Sequence, residues 1–182
     1  CRVTGSGMGA ISSAILAPLK SGDRVVAATA LFGSCRWIIA NLMPKYGIQT
    51  VFVDGADLDA WEREIAKGCQ LVLIESPANP LLDGVDIAAV AKLCKTAGAL
   101  LVVDNVFATP ILQRPQELGA DVVVYSATKH MDGQGRVMLG AILCDSKYME
   151  DVYDPYLRHI GPAAAPFNAW VVLKVRCRAA AR

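Results

Sequence analysis

Two hydroxyl groups and an amine follow a short apolar run in the second half of the chain. The run 122–125 is rich in β-branched residues and predicts a buried strand, and Ser126, Thr128 and Lys129 come directly after it. Ligands of open α/β sheets bind where strands end, and a lysine beside apolar walls can attack a carbonyl carbon. Because the hydroxyls can donate to a phosphate, the stretch predicts a Schiff-base lysine that holds an aldehyde cofactor carrying a phosphate. A plain surface lysine after a strand is the alternative.

A glycine-rich turn near the start of the chain opens a helical pattern. Residues 5–9 read Gly-Ser-Gly-Met-Gly, and the pattern continues over residues 10–16. Free N–H groups and the positive end of a helix dipole favour phosphate binding. The spacing also fits the dinucleotide fingerprint, which leaves a nicotinamide-dependent dehydrogenase as an alternative. That fingerprint needs a preceding strand and an acidic residue after the next one, but only four residues precede the turn and the run 24–28 ends in Thr29.

Carboxylates close two further apolar runs. Glu75 follows the run 71–74 and leads into Ser-Pro-Ala-Asn79-Pro, and Asp104 follows the run 100–103. Because the carboxyl ends of parallel strands meet at one edge of a sheet, we expect these side chains to lie beside the lysine and the glycine-rich turn.

Strand-like runs alternate with amphipathic helical segments along the chain. We predict strands at 24–28, 49–53, 71–74, 100–103, 122–125 and 140–144, and helices at 10–16, 34–45, 58–67 and 87–96. Asp57 and Asp86 are predicted to cap the last two helices. This alternation predicts an α/β fold with a mostly parallel sheet and helices on both faces.

The composition narrows the class of protein. Apolar residues make up 54% and charged residues 19%, which is typical of a well-buried globular protein. The net charge of +1 gives no basic footprint for nucleic acid, and no apolar run is long enough to span a membrane. Six cysteines lie singly and only two histidines are present, so we predict no metal site and a reduced, cytoplasmic setting.

Four motifs stand in order along the chain: Ser6-Gly-Met8, Glu75-Ser-Pro-Ala-Asn-Pro80, Asp104-Asn-Val-Phe-Ala-Thr-Pro110 and Ser126-Ala-Thr-Lys129. With these motifs the chain resembles the Cys/Met-metabolism family of pyridoxal-phosphate (PLP) enzymes of fold type I. The family includes cystathionine synthases and lyases, methionine γ-lyase and homoserine-ester sulfhydrylases. The resemblance implies pyridoxal 5′-phosphate as cofactor and the large domain of fold type I, a mostly parallel sheet with helices on both faces.

The resemblance also implies catalytic roles for three residues. Lys129 would form the Schiff base and later move protons between substrate carbons, and Asp104 would pair with the ring nitrogen of the cofactor. Phe32 stands where most of the family has a tyrosine stacked on the ring, so it keeps the stacking and lacks the hydroxyl. Glu75 is expected to orient the site without touching the cofactor.

The remaining cofactor-binding residues follow from the same resemblance. The Ser126 and Thr128 hydroxyls, with the backbone N–H groups of Gly7 and Met8, would hold the phosphate. Asn79 would lie near the ring O3′ atom or the substrate.

Phe32 together with Asp132-Gly-Gln-Gly-Arg136 resembles the O-succinylhomoserine sulfhydrylase branch of the family. That branch implies γ-replacement on an activated homoserine ester, in which sulfide displaces succinate to give homocysteine in methionine biosynthesis. A cystathionine γ-synthase or γ-lyase of the same family, or a non-catalytic truncated remnant, remain alternatives. Arg136 either binds an anion or is a solvated loop residue, and Leu139 departs from a usual Gly-Gly pair.

The ends of the chain suggest the central fragment of a longer protein. Residues 1–170 are predicted to be an incomplete PLP-binding large domain, and residues 171–182 the start of a connection to a C-terminal domain, with an atypical tail. The family builds its active site at a subunit interface, which implies a dimer-based homotetramer acting on a small amino-acid substrate. We expect the chain to be inactive on its own.

Overall fold

A seven-stranded sheet forms the centre of the computed structural model, which describes the backbone of residues 1–179 and the side chains of residues 1–174. Its strands are β1 (Arg2–Thr4), β2 (Arg24–Ala28), β3 (Gln49–Val53), β4 (Leu71–Glu75), β5 (Leu100–Asp104), β6 (Val122–Ser126) and β7 (Gly140–Leu143). Their order across the sheet is β1-β7-β6-β5-β4-β2-β3. Strands β2 to β6 run parallel, and β7 is antiparallel to both of its neighbours. The mostly parallel α/β sheet predicted from the sequence is confirmed.

Helices connect most of the strands, and a glycine-rich loop joins β6 to β7. The α-helices are α1 (Gly7–Leu16), α2 (Gly33–Trp37), α3 (Leu58–Ala66), α4 (Ile87–Ala97), α5 (Thr109–Leu112), α6 (Ser146–Tyr148), α7 (Asp154–Ile160) and α8 (Pro166–Ala179). After α2 the chain continues through a π-helical segment, Ile38–Leu42, and a 3₁₀ turn, Met43–Tyr46. All five residues of β4 are buried. Because successive strand residues point to opposite faces, both faces of the sheet are covered at its centre.

Short polar side chains begin the helices that flank the sheet. The Asp57 carboxylate accepts the Ala60 N–H at 2.9 Å, and Asp86 accepts the Ala89 N–H at 2.9 Å. Each bond satisfies one of the N–H groups that have no partner within the helix. Both predicted caps are therefore confirmed.

The sequence patterns miss strand β1, which is only three residues long. It pairs with β7 through Thr4 opposite Gly140. A side chain at Gly140 would collide with the Ser6 carbonyl group, so this glycine lets the turn after β1 approach β7. A strand therefore precedes the glycine-rich turn, but the acidic residue of the dinucleotide fingerprint is still absent. Thr29 stands in its place and donates its hydroxyl to the Val53 carbonyl oxygen.

The predicted domain division falls inside a helix. Helix α8 runs through residue 170, and residues 180–182 of the predicted tail lie outside the described residues. The division itself stays a prediction. Within the part of the chain that the structure describes, no helix is long and apolar enough to cross a membrane.

Truncation of a central strand residue tests this core. Leu73 of β4 is fully buried, whereas Leu81 is 71% exposed. We expect Leu73→Ala to lower the free energy of unfolding by about 2–5 kcal/mol, because it removes buried methyl groups and leaves a cavity. Leu81→Ala is the matched control, with an expected change within about 0.5 kcal/mol. Urea unfolding measures both, and equal losses in the two variants would contradict this core assignment.

Candidate active site

A cavity of about 290 Å³ lies at the carboxyl ends of β4, β5 and β6, beside the amino end of α1. This is the edge at which the sequence predicts the chemical groups to meet. All the predicted site residues line it, namely Gly7, Met8, Phe32, Asn79, Asp104, Ser126, Thr128 and Lys129, together with Glu75. The structure therefore brings the four motifs into one site, and the roles of the individual residues stay predictions.

The amino end of α1 offers backbone donors to the cavity. The Ser6 hydroxyl caps the helix by accepting the Gly9 N–H at 3.0 Å. The N–H groups of Gly7 and Met8 donate to no acceptor among the described residues. A Cβ atom at Gly7 would lie 2.5 Å from the Cβ of Ser126, so glycine permits the helix to start against the end of β6. Two free N–H groups beside a hydroxyl make this end suitable for a phosphate.

Lys129 lies in a tight turn directly after β6. Its backbone N–H donates to the Ser126 carbonyl oxygen at 3.1 Å, and its carbonyl oxygen accepts the Gly133 N–H at 2.8 Å. These bonds fix the backbone of the lysine at the floor of the cavity. Within the described residues its Nζ atom makes no hydrogen bond and no ion pair, so the amine is available to a ligand.

The Thr128 hydroxyl is held by the loop that returns to β7. Its oxygen accepts the Leu139 N–H at 3.0 Å. Leu139, where the sequence departs from the usual glycine pair, is only 3% exposed and packs inward. The hydroxyl in turn donates to the Leu139 carbonyl oxygen over a long bond of 3.4 Å, which a phosphate in the cavity would have to replace.

The glycine-rich loop after Lys129 is closed by an internal ion pair. Asp132 is buried, and it accepts the Arg136 backbone N–H at 2.8 Å and the Arg136 Nε–H at 3.0 Å. These hydrogen bonds lower the pKa of the Asp132 carboxyl group. The Arg136 side chain is 39% exposed and is bound within its own loop, which fits the alternative of a solvated loop residue, whereas binding of an external anion stays a prediction.

Two carboxyl groups lie side by side beneath the cavity. The sheet register sets Glu75 opposite Asp104. Burial, and next the charge of Glu75, raise the pKa of Asp104 to about 7, although the Val106 N–H donates to its Oδ1 atom at 3.1 Å. Burial also raises the pKa of Glu75. A cation next to Asp104 would be stabilised by both groups, as a protonated ring nitrogen would be.

Glu75 connects the loops on either side of the cavity. One carboxylate oxygen accepts the Phe32 N–H at 2.5 Å, and the other accepts the Asn79 N–H at 3.0 Å. The side chain is 5% exposed. Glu75 thus holds the backbone of two predicted cofactor contacts, which is the geometry expected of an orienting group.

The cavity also contains residues that the sequence analysis does not single out. Cys35 lies one helical turn after Phe32 and is 2% exposed, whereas Phe32 is 41% exposed. Burial and the charges of Asp104 and Glu75 raise the pKa of the Cys35 thiol, which keeps it protonated. Its spacing of three from Phe32 is the signal that could have predicted it. Phe107 and Met138 complete the apolar walls.

These residues fit pyridoxal phosphate. The free N–H groups of α1 and the Ser126 hydroxyl suit its phosphate, and Asp104 suits a protonated ring nitrogen. The Lys129 amine, which has no partner in the part of the chain that the structure describes, suits the aldehyde carbon.

The chain is similar to known proteins along most of its length. Residues 1–176 match the family described as Cys/Met metabolism PLP-dependent enzyme. An O-succinylhomoserine sulfhydrylase of Mycobacterium tuberculosis is 54% identical over 171 residues, which are 94% of this chain and 42% of the relative. The enzyme of the same name from Pseudomonas aeruginosa is 45% identical over the same shares.

Solved structures agree with this similarity. Cystathionine γ-synthase of Xanthomonas oryzae pv. oryzae has a TM-score of 0.91 and 33% identity, covering 95% of this chain and 45% of that one. The chain thus spans less than half the length of the relatives it matches.

The raised pKa of Asp104 has a consequence for stability. In an unfolded chain an aspartate has a pKa of about 4, so folding favours the protonated form of Asp104. We therefore expect the free energy of unfolding, without added cofactor, to fall as the pH rises from about 4 to about 7. Asp104→Asn keeps an acceptor for the Val106 N–H and should reduce this fall. Part of it should remain, since the pKa of Glu75 is raised as well.

Urea unfolding at several pH values measures this dependence. The matched control is Asp59→Asn, which changes an exposed carboxylate of α3. Identical pH slopes in the wild type, Asp104→Asn and Asp59→Asn would contradict the prediction.

Proposed function

Because the chain belongs to the Cys/Met metabolism PLP-dependent enzymes, we propose that the protein containing it catalyses γ-replacement on an activated homoserine ester. Sulfide displaces succinate from O-succinylhomoserine, which yields homocysteine and succinate. The observation that carries the proposal is the single cavity in which Lys129, Asp104 and the start of α1 converge. The identity of 54% to an O-succinylhomoserine sulfhydrylase favours this branch of the family.

The cofactor would be held at three points. The N–H groups of Gly7 and Met8 and the hydroxyls of Ser126 and Thr128 bind the phosphate, and this role is supported by the free donors at the start of α1. Asp104 would hold the ring nitrogen, and Lys129 would hold the aldehyde carbon.

Pyridoxal phosphate, when bound, supplies an electron sink for negative charge at the substrate carbon that carries the amino group. The Asp104 carboxylate would keep the ring nitrogen protonated. The negative charge of Glu75, which lies opposite Asp104 in the sheet, would further stabilise the positively charged ring nitrogen. Lys129 would hold the aldehyde carbon of the cofactor, and its free amine would serve as the base for the Cα proton and a Cβ proton of the substrate. Asn79, which lines the cavity, would lie near the ring O3′ atom or the substrate.

Phe32 restricts which residues can move protons. An aromatic ring at the mouth of the cavity can stack on the cofactor but has no hydroxyl. The buried Cys35 thiol stays protonated beside two carboxyl groups and is a poor base. Of Phe32, Cys35 and Lys129, the lysine is therefore the group suited to move protons during the loss of succinate and the addition of sulfide.

A γ-lyase or a cystathionine γ-synthase would use the same residues. The L-methionine γ-lyase of Fusobacterium nucleatum subsp. polymorphum is 38% identical to this chain. Such an enzyme differs in the fate of the intermediate, so the product distinguishes it.

We also propose the setting of the intact protein. A cytoplasmic location is supported by five free cysteines among the described residues. A dimer-based homotetramer is supported by exposed apolar side chains on the segments that follow β4 and β5, with Leu81, Leu82, Ile111 and Leu112 between 63% and 84% exposed. Methionine biosynthesis is the pathway that homocysteine formation implies. Residues 1–170 would be the PLP-binding large domain.

Cofactor binding is the first test of this proposal. On addition of pyridoxal phosphate, the wild-type chain should develop a visible absorption band, and Lys129→Ala should not, because the band needs the lysine amine. Lys92→Ala, on the exposed side of α4, is the matched control and should keep the band. The measurement is an absorption titration. A band that survives unchanged in Lys129→Ala would exclude Lys129 as the anchor.

A chimera tests the reaction itself. We would replace the matching 171 residues of the Mycobacterium tuberculosis relative by those of this chain and supply O-succinylhomoserine with and without sulfide. Homocysteine and succinate in equal amounts are expected only with sulfide, and Lys129→Ala in the chimera should abolish both. Chromatography of the products is the measurement. A chimera that forms only an elimination product would indicate a γ-lyase, and one that never binds cofactor would indicate a non-catalytic remnant.

A further inference from the structure

A second polar cluster, made of the uncharged side chains of Asn105, Gln113 and Tyr125, lies beside the cavity. Asn105 follows Asp104 directly and is completely buried. Its side-chain nitrogen donates to the Tyr125 hydroxyl oxygen at 2.9 Å and to the Gln113 carbonyl oxygen at 2.9 Å. Tyr125 in turn directly precedes Ser126. The cluster is therefore attached to the backbone next to two predicted cofactor contacts.

Gln113 joins this cluster to the loop after β4. Its side-chain nitrogen donates to the Asn105 Oδ1 atom at 2.8 Å and to the Ser76 carbonyl oxygen at 2.7 Å. Ser76 follows Glu75 directly. The backbone alone links the two loops there only through a long bond of 3.4 Å, from the Ser76 N–H to the Asp104 carbonyl oxygen. The Gln113 amide thus supplies a shorter bond between these loops, and its second bond, to Asn105, anchors it within the segment after β5.

The short helix α5 ends directly before Gln113 and positions its side chain. Thr109 at its start has a φ of 59°, which is uncommon for a β-branched residue. Hydrogen bonds to Asn105 hold it from both sides: the Thr109 N–H donates to the Asn105 carbonyl oxygen at 3.1 Å, and the Asn105 side chain donates to the Thr109 carbonyl oxygen at 3.2 Å. The chain is extended at Gln113, where α5 ends. This unusual turn returns the amide to the sheet edge.

We propose that Gln113 is a positioning residue of the cavity, whose side-chain amide fixes the loop carrying Asn79 to the loop that begins directly after Asp104. The inference rests on the proposed function of the cavity as a cofactor site. Gln113 does not touch the cavity through its amide; it acts on Asp104 through Asn105, and on Asn79 through Ser76. Without it, a buried acceptor on Asn105 and the Ser76 carbonyl group lose their donor.

The amides of the two loops report on this positioning without any cofactor. The Val106 N–H is bound to Asp104, and the Asn79 N–H is bound to Glu75. If Gln113 fixes the loops, both amides should exchange with solvent faster when its donors are removed, whereas the Leu73 amide in the middle of β4 should not change.

Gln113→Glu removes the donors with almost no change of shape, because a carboxylate only accepts hydrogen bonds. Gln116→Glu, at an exposed position of the same segment, adds the same charge and is the matched control. Gln113→Met, which removes the donors without adding charge, is the second variant. We would measure hydrogen exchange of the 182-residue chain, and then its dissociation constant for pyridoxal phosphate.

We expect exchange of the Val106 and Asn79 amides to be about tenfold faster in both Gln113 variants, as the loss of a buried hydrogen bond implies, with the Leu73 amide and Gln116→Glu unchanged. The dissociation constant for pyridoxal phosphate should rise about tenfold in the same variants. Unchanged exchange at both loop amides would overturn the inference, as would unfolding of both Gln113 variants, which would make Gln113 a residue of general stability. If the wild type itself binds no pyridoxal phosphate, the proposed function fails, and the exchange rates still decide the role of Gln113.

Discussion

The pairing of β4 with β5 places the carboxyl groups of Glu75 and Asp104 next to each other in a poorly hydrated position. The site depends on the groups that offset the repulsion and the desolvation of these two carboxyl groups. Two backbone N–H groups satisfy Glu75, whereas Asp104 receives one. Burial raises the pKa of both. Glu75 therefore uses both of its oxygen atoms to bind the backbone, whereas Asp104 has an oxygen atom left to bind a ligand. An arrangement that costs stability when empty becomes favourable when a cation lies beside Asp104.

The opposite end of the cavity has the opposite electrostatic character. The start of α1 presents two N–H groups that have no acceptor among the described residues, and the Ser126 hydroxyl lies against Gly7. A ligand that is anionic at one end and cationic at the other is thus oriented before any covalent bond forms. Lys129 lines the same cavity, in a turn whose backbone is held by two hydrogen bonds. The groups that would orient a ligand are therefore different from the lysine amine that would bind it covalently.

The sequence predicts most of the sheet because each central strand is a continuous apolar run whose end is marked by a polar residue such as Glu75 or Asp104. It does not predict β1, since three residues carry no periodicity. Nor does it predict Gln113, whose partner Ser76 is 37 residues away and is a backbone group that any residue would provide. The Arg136 pair with Asp132 lies only four residues apart and could have been recognised.

This difference has a physical origin in the sheet. Hydrogen bonds between strands position every backbone group up to Glu75 and Asp104, and the ladder ends where the chemical groups begin. Beyond that point the loops have no periodic partner, so side chains must supply the bonds that the ladder no longer provides. Glu75 does this on the cavity side, and Asn105 with Gln113 does it beside the cavity. The residues that supply these bonds are close together in the folded protein but distant in the sequence. A search for sequence motifs therefore finds the residues that contact the ligand more readily than the residues that hold those contacts in place.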